Sequence, residues 1–204
     1  MGTAERRERD RQEMRRLILE TAKKLFLKDG FENVTIRKIA DKMEYSPATV
    51  YLYFKDKAEI LYALHTEGFE KLYAEQKKTL SIQDPWQRLR AGGEVYLKFA
   101  LENKEYYDLM FIMSDTGRLI SEKKEWSIGQ RSYDVLRDAV RDCIEAGYLQ
   151  EVDVEVASFT LWSLVHGIVS LIIRNRCMVP TEQLPFVISG VLEFAMQGIK
   201  TQKE

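Results

Sequence analysis

Hydrophobic positions in this chain recur at three- and four-residue steps, and nowhere do they alternate with period two for long enough to make a strand. Leu17, Ile18, Ala22, Leu25 and Phe26 mark a first helix, and Gly30 follows as its left-handed stop. Thr35 can cap a short second helix through Ile36, Ile39, Ala40 and Met43, with Arg37 and Lys38 on the other face. Ser46-Pro47 is a cap followed by a proline at the first helical position, where the missing N–H is not needed, so a new helix begins there. It is short, because Asp56 with Glu59 three residues later has the capping-box pattern of the next start. From Asp56 the amphipathic pattern runs to about Leu80, and Asp84-Pro85 opens another helix. Further helices are predicted over 85–101, 103–113, 119–146, 153–176 and 182–199, with breaks at Asn103, 114–117, Gly147 and Val179-Pro180. Val152 to Val156 alternates briefly, but Asp153 and Glu155 suit the acidic first turn of a helix better. The expected fold class is all-α.

Composition narrows the function classes. With 204 residues and 45% hydrophobic content the chain can bury its own core. Cys143 and Cys177 make neither a metal-ligand spacing nor a disulfide framework, which suits a reducing compartment and two inert thiols. The first 16 residues are rich in Arg and Glu with no apolar stretch after them, unlike a secretory signal, and no segment reads as a membrane span. A cytoplasmic protein without a membrane partner is expected. His65 and His166 stand a hundred residues apart, the cysteines pair with neither, and there is no Gly-rich phosphate loop or metal motif. No catalysis, metal or cofactor is therefore expected. The net charge of −1 conceals an asymmetry: residues 1–57 carry 14 Lys/Arg against 10 Asp/Glu, and the remainder 17 against 22. A basic N-terminus on an acidic body suggests a nucleic-acid-facing head.

Residues 35–57 have the layout of a helix-turn-helix: a two-turn helix, a three-residue turn and a second short helix. In the second helix Val50 and Phe54, four apart, can pack inward, leaving Pro47, Ala48, Thr49, Tyr51 and Tyr53 on the outer arc. A major groove admits a helix whose leading residues are compact. Ala48 and Thr49 can touch base edges, while the tyrosine hydroxyls and the ammonium groups of Lys55 and Lys57 can reach phosphates.

The run Ser46-Pro47-Ala48-Thr49-Val50-Tyr51-Leu52-Tyr53-Phe54-Lys55-Asp56-Lys57, with Leu25-Phe26, Gly30-Phe31, Thr35 and Ile39-Ala40 before it, resembles the TetR family of bacterial transcriptional repressors. The resemblance implies that Arg37, Pro47, Ala48 and Thr49 read bases and that Thr35, Ser46, Tyr51, Tyr53 and Lys57 contact phosphate. It implies a helix-turn-helix domain over 1–57 and a helical effector-binding and dimerisation domain over 58–204, acting as a homodimer on a double-stranded DNA operator and released by a small molecule. One departure is the turn, Met43-Glu44-Tyr45 where the family usually has Ala-Gly-Val. A glutamate forced into the left-handed conformation costs ~1–2 kcal/mol relative to glycine. The arm from Arg6 to Arg16 is expected to be disordered without DNA and to add non-specific phosphate contacts.

The helix predicted over 153–176 is apolar on two faces. One carries Val154, Ala157, Leu161, Leu164, Ile168 and Leu171; the other carries Trp162, Val165, Val169 and Ile173, with His166 beside it. A helix apolar all round must be buried on both sides. Ala157, Leu161, Leu164, Ile168 and Leu171, with Val187, Val191 and Phe194 of the last helix, are the expected dimer interface, as two such helices from each protomer make a two-fold four-helix bundle. The other possibility is a monomer that buries both faces. Tyr96, Phe99, Met110, Met113, Trp126, Tyr133, Trp162 and His166 are the candidates for an effector site. The resemblance implies a pocket there, and their chemistry favours a largely apolar ligand with one or two polar groups. The alternative is a DNA-binding protein with no small-molecule effector, controlled by a protein partner or acting architecturally.

Overall fold

The computed structural model of the chain describes residues 2–123 and 126–201. In order, the helices are α1 (Thr3–Asp29), α2 (Ile36–Lys42), α3 (Pro47–Tyr51), α4 (Lys57–Gln76), α5 (Pro85–Glu102), α6 (Lys104–Tyr107), α7 (Ser114–Lys123), α8 (Ser127–Glu145), α9 (Val154–Ile173) and α10 (Leu184–Ile199). Single 3-10 turns span Lys77–Ser81 and Thr181–Gln183, and a π turn spans Asp108–Ile112. No strand forms among the described residues; one isolated bridge pairs Leu149 with Lys200. The protein is all-α, as its hydrophobic period predicts.

The four anticipated caps are made, and Asp153, expected in a first turn, is a fifth. Thr35 accepts from the Lys38 amide at 3.1 Å, Ser46 from Thr49 at 3.3 Å, Asp56 from Glu59 at 2.8 Å, Asp84 from Gln87 at 2.8 Å and Asp153 from Val156 at 3.0 Å. Each satisfies one of the amides left open at a helix start. Gly30 takes φ +78° just past α1, with its N–H bonded to the Phe26 carbonyl at 3.0 Å.

The chain forms two compact units, one of Met1–Gly68 with Glu105–Trp126, the other of Phe69–Lys104 with Ser127–Glu204. The division anticipated between residues 57 and 58 falls inside the first unit, which also takes in the later segment carrying α6 and α7. In that unit Ile18, Ala22, Phe26, Val34, Ile39, Val50, Phe54, Ile60, Leu61 and Leu64 form a buried core joined by Leu109. Burying each large aliphatic or aromatic side chain contributes ~1.5–3 kcal/mol. Lys23, itself buried, ties the returning segment to α1: its ammonium lies 3.2 Å from Glu20, 3.4 Å from Glu105 and 4.4 Å from the centre of the Tyr106 ring. Tyr106 donates to Glu67 at 2.6 Å, and burial together with that carboxylate pushes its phenol well above the usual range.

In the second unit α5, α8 and α9 pack on one another, with Tyr96, Leu97, Val140, Val165, Val169 and Leu192 buried. Gln76 and Ser132 hold each other reciprocally: the hydroxyl donates to the amide oxygen at 2.7 Å, and the amide nitrogen donates to the Ser132 carbonyl at 3.3 Å. Burial pushes the Cys143 thiol up to about 12, in keeping with an inert thiol.

Three expectations are corrected. The arm from Arg6 to Arg16 is helical: it propagates from the core-packed turns of α1 and so needs no costly nucleus of its own. Glu5 bonding the Gly2 amide at 2.9 Å and Glu8 accepting from Gln12 at 3.0 Å support it. Residues 114–117 begin α7 instead of breaking a helix, since Ser, Asp and Thr have the same chemistry in a first turn as in a loop. Finally, one helix is long and apolar enough to cross a membrane by length and composition: α9 has a mean hydropathy of 1.9, with 17% of that stretch buried. Its uncharged run extends from Val156 to Ile173 because its one acid, Glu155, sits in the first turn.

Candidate functional site

The turn between α2 and α3 closes through the amides of Met43 and Tyr45, both bonded to the Ala40 carbonyl at 3.0 Å. Glu44 stands at φ +61°, so this chain makes with a glutamate the left-handed step that glycine makes freely. Beyond the turn Val50 and Phe54 are buried at 0% and 2% exposure, which fixes the outer arc of α3. Ala48 and Tyr51 face outward, and Pro47, Thr49 and Tyr53 are half-buried. Thr35, Arg37, Ser46 and Lys55 are exposed around them. Arg37 makes no hydrogen bond or ion pair among the described residues, whereas Lys38 on the same helix is held by Asp29 at 2.8 Å. Leu52, 78% exposed, and Tyr45, 44% exposed, stand at the same end of the unit and were not anticipated. The inward placement of Val50 and Phe54 is the signal that could have found Leu52.

Lys57 differs from the other nine residues expected at DNA. Its ammonium donates to the Phe31 carbonyl at 2.9 Å and to the Glu32 carbonyl at 3.4 Å, and it lies 4.2 Å from the Phe31 ring centre and 3.7 Å from the Glu32 carboxylate. It ties the start of α4 to the loop after α1. Lys57→Ala should therefore lower stability by ~1–2 kcal/mol in urea denaturation. Arg37→Ala should leave stability unchanged and cost ~1–3 kcal/mol at a single base position, read as relaxed preference in a binding titration over base-substituted duplexes. Equal losses on specific and random duplexes would remove Arg37 from base reading.

Of the eight candidate effector residues, the second unit brings four together. Tyr96 Oη and His166 Nδ1 are hydrogen-bonded at 3.0 Å, Trp162 lies 5.7 Å from the His166 ring centre, and Tyr133 meets Trp162 edge-on at 6.0 Å. Burial holds the His166 imidazole below its usual range, which keeps it neutral at pH 7. Phe159, absent from the anticipated set, joins at 5.9 Å from Trp162 while 59% exposed. Phe99 is buried in the same unit. Met110, Met113 and Trp126 belong to the first unit, where Met113 packs against the helix-turn-helix core. A separate cleft of about 410 Å³ in the second unit is lined by Tyr73, Arg88, Arg131, Asp134, Asp138 and Asp142 among others, and by none of the eight. Its ion-paired walls, Arg88 with Asp142 among them, do not suit an apolar ligand.

Two short, capped helices set on a common core, presenting a compact outer arc flanked by tyrosines and cations, define a helix-turn-helix DNA-binding protein. Residues 18–64 match the family described as bacterial regulatory proteins, tetR family, and residues 89–187 match the tetracyclin repressor-like C-terminal domain. The chain belongs to the TetR family of transcriptional regulators. It is similar to an HTH-type transcriptional regulator of Staphylococcus aureus (strain USA300), 27% identical over 97 residues, which are 47% of this chain and 52% of that protein. The chain thus spans about half the length of the Staphylococcus relatives it matches. Among solved structures it resembles the TetR family regulator PfmR from Thermus thermophilus, with TM-score 0.65 and 25% identity over 86% of this chain and 97% of that one. The fold is shared with the fatty acid degradation regulator FadR from Bacillus halodurans, with TM-score 0.73 and 17% identity over 89% and 94% of the two chains.

Proposed function

We propose that the protein is a ligand-responsive repressor that binds a pseudo-palindromic operator as a homodimer and releases it when a small, largely apolar effector binds the C-terminal helical domain. The observation that carries the reading is the outer arc of α3 and its surroundings. Arg37, Pro47, Ala48 and Thr49 are assigned to base edges; Thr35, Ser46, Tyr51, Tyr53 and Lys55 are assigned to phosphates, with Lys57 placing the loop behind them.

The assignment to a homodimer is supported by the outer faces of α9 and α10. On α9 Ser158, Val165 and Val169 are buried in the unit, whereas Ala157, Leu161, Leu164 and Ile168 stay half-covered and Leu171 is 54% exposed. On α10 Val187 and Val191 are half-covered and Phe194 is 82% exposed. Apolar surface on this scale suits a second copy of the same faces around a two-fold axis. For the effector, the support is the aromatic group of Tyr96, Tyr133, Phe159, Trp162 and His166, which offers ring faces and one polar pair.

The test uses thermal shift against hydrophobic acids and aromatic compounds, followed by operator titration with each hit. A true effector weakens operator binding by 5–150-fold, the usual ~1–3 kcal/mol of coupling, and saturating operator weakens effector binding by the same factor. Hits that raise the melting temperature while leaving operator affinity unchanged would favour a regulator without a small-molecule effector.

A further inference from the structure

Residues 4–13 of α1 are all exposed, so the helix projects about 15 Å beyond the last turn that touches the core. Helical geometry stacks Arg7, Arg11 and Arg15 four residues apart in one row, and the same side of the helix continues into Ile18 and Ala22, which are buried in the helix-turn-helix core. The row therefore lies on the side of α1 that carries α2 and α3. Its inner end is fixed: the Arg15 guanidinium stacks 5.2 Å from the centre of the Phe54 ring, and Phe54 stands between Tyr53 and Lys55. Arg11 and Arg7 follow outward at steps of ~6 Å.

No acid of this segment is ion-paired with the row among the described residues. Glu5 and Glu13 lie about 120° or more from the midline of the row, and Glu13 is paired with Arg9 at 4.0 Å; Asp10, three residues after Arg7, lies about 60° from it and makes no ion pair with it among the described residues. Glu8, three residues before Arg11, is nearer; its carboxylate keeps its charge, is turned to Gln12 at 3.0 Å and makes no ion pair with the row among the described residues. Arg7 and Arg11 make no hydrogen bond or ion pair among the described residues. Two unengaged guanidinium groups thus extend in line from the end of the unit that faces DNA, and the occupant with matching charge at that place is the phosphate backbone of the same duplex.

We infer that the Arg7–Arg11–Arg15 row is a second DNA contact, lying along the backbone outside the half-site read by α3 and lengthening the footprint of each chain. This rests on the operator reading above and adds a contact that the helix-turn-helix does not include. The test uses a duplex selected by the wild-type chain from a randomised pool, prepared either with about one helical turn of flanking DNA on each side or trimmed to the selected site. The variant Arg7→Gln/Arg11→Gln keeps good helix formers, and the control Arg6→Gln/Arg16→Gln removes equal charge from the other side of α1.

On the flanked duplex the row variant should have a salt slope shallower by about 1.8 per bound chain, so the wild type loses roughly ten-fold more affinity per chain than the variant between about 50 and 200 mM salt. The control should follow the wild type, and on the trimmed duplex all three should coincide. An unchanged slope for the row variant overturns the inference, as does a control that shifts equally, which would signify diffuse electrostatics or a row kept for another partner. Failure of the operator reading looks different: the wild-type chain then enriches no sequence from the pool, and both proposals fall.

Discussion

Ala48→Glu should abolish operator recognition, with affinity falling at least about 100-fold, or ~2.7 kcal/mol, while the fold is retained. Ala48 is the second residue of α3, exposed between the capped start of the helix and Tyr51. A carboxylate in the first turn of a helix is favourable by ~0.3–1 kcal/mol, so the substitution does not weaken the protein. What it introduces is bulk where the helix has to approach base edges closely, and negative charge in a groove walled by phosphates. The loss should extend to all sequences, unlike that of Arg37→Ala. Anisotropy titration on the selected duplex, with a urea melt as control, measures both parts. Retained affinity would mean that the start of α3 does not enter the groove.

Acidification from pH 6.5 to 4 should remove roughly 3 kcal/mol of stability through His65 alone. This imidazole on α4 is fully buried beside the Tyr62 ring, and burial lowers its pKa to about 4 from an ordinary 6.5. Between those values the unfolded chain binds a proton that the folded chain refuses. Stability is therefore fully present above pH 6.5, is lost as the pH falls through this window, and stops changing on this account below about 4. His65→Gln should flatten that part of the stability profile relative to the wild type, leaving the carboxylate contribution common to both. Parallel profiles for the two proteins in urea denaturation would show that His65 is not the group responsible.

Much of this architecture is legible because its signals are local. A cap and the first turn it serves lie within three residues of each other, so Thr35, Ser46, Asp56 and Asp84 could be read directly, whereas Asp153, expected in the first turn, stands one place earlier as the cap. Periodicity likewise separates the buried Val50 and Phe54 from the outer arc. What escaped depends on distance along the chain. Lys57 looks like a phosphate ligand until Phe31 and Glu32, 26 and 25 residues earlier, are seen to hold it. The aromatic excess of the C-terminal half is visible in composition, yet the pairing of Tyr96 with His166 spans 70 residues. Met110 and Met113 were grouped with those aromatics by proximity in sequence, although the chain returns to the first unit after Lys104. At α1 the charged composition suggested disorder, and continuity with a core-packed helix decided otherwise.

The same dependence on long-range contact appears at Gly68. A Cβ there would stand 2.5 Å from Met110 Sδ and 3.1 Å from the Tyr106 ring, residues about forty positions later in the chain. Gly68→Val should cost on the order of 1–3 kcal/mol by overpacking, read as a lower urea midpoint. An unchanged midpoint would mean that Met110 can move aside freely.

The central claim is that two copies of this chain read one duplex through α3. Selection of bound duplexes from a randomised pool by the full chain tests it most directly. The account predicts an enriched pseudo-palindrome whose half-sites are centred one helical turn apart, about 10–10.5 base pairs, or a small multiple of that. A pool that shows no enrichment, or that yields a single asymmetric half-site, would contradict it.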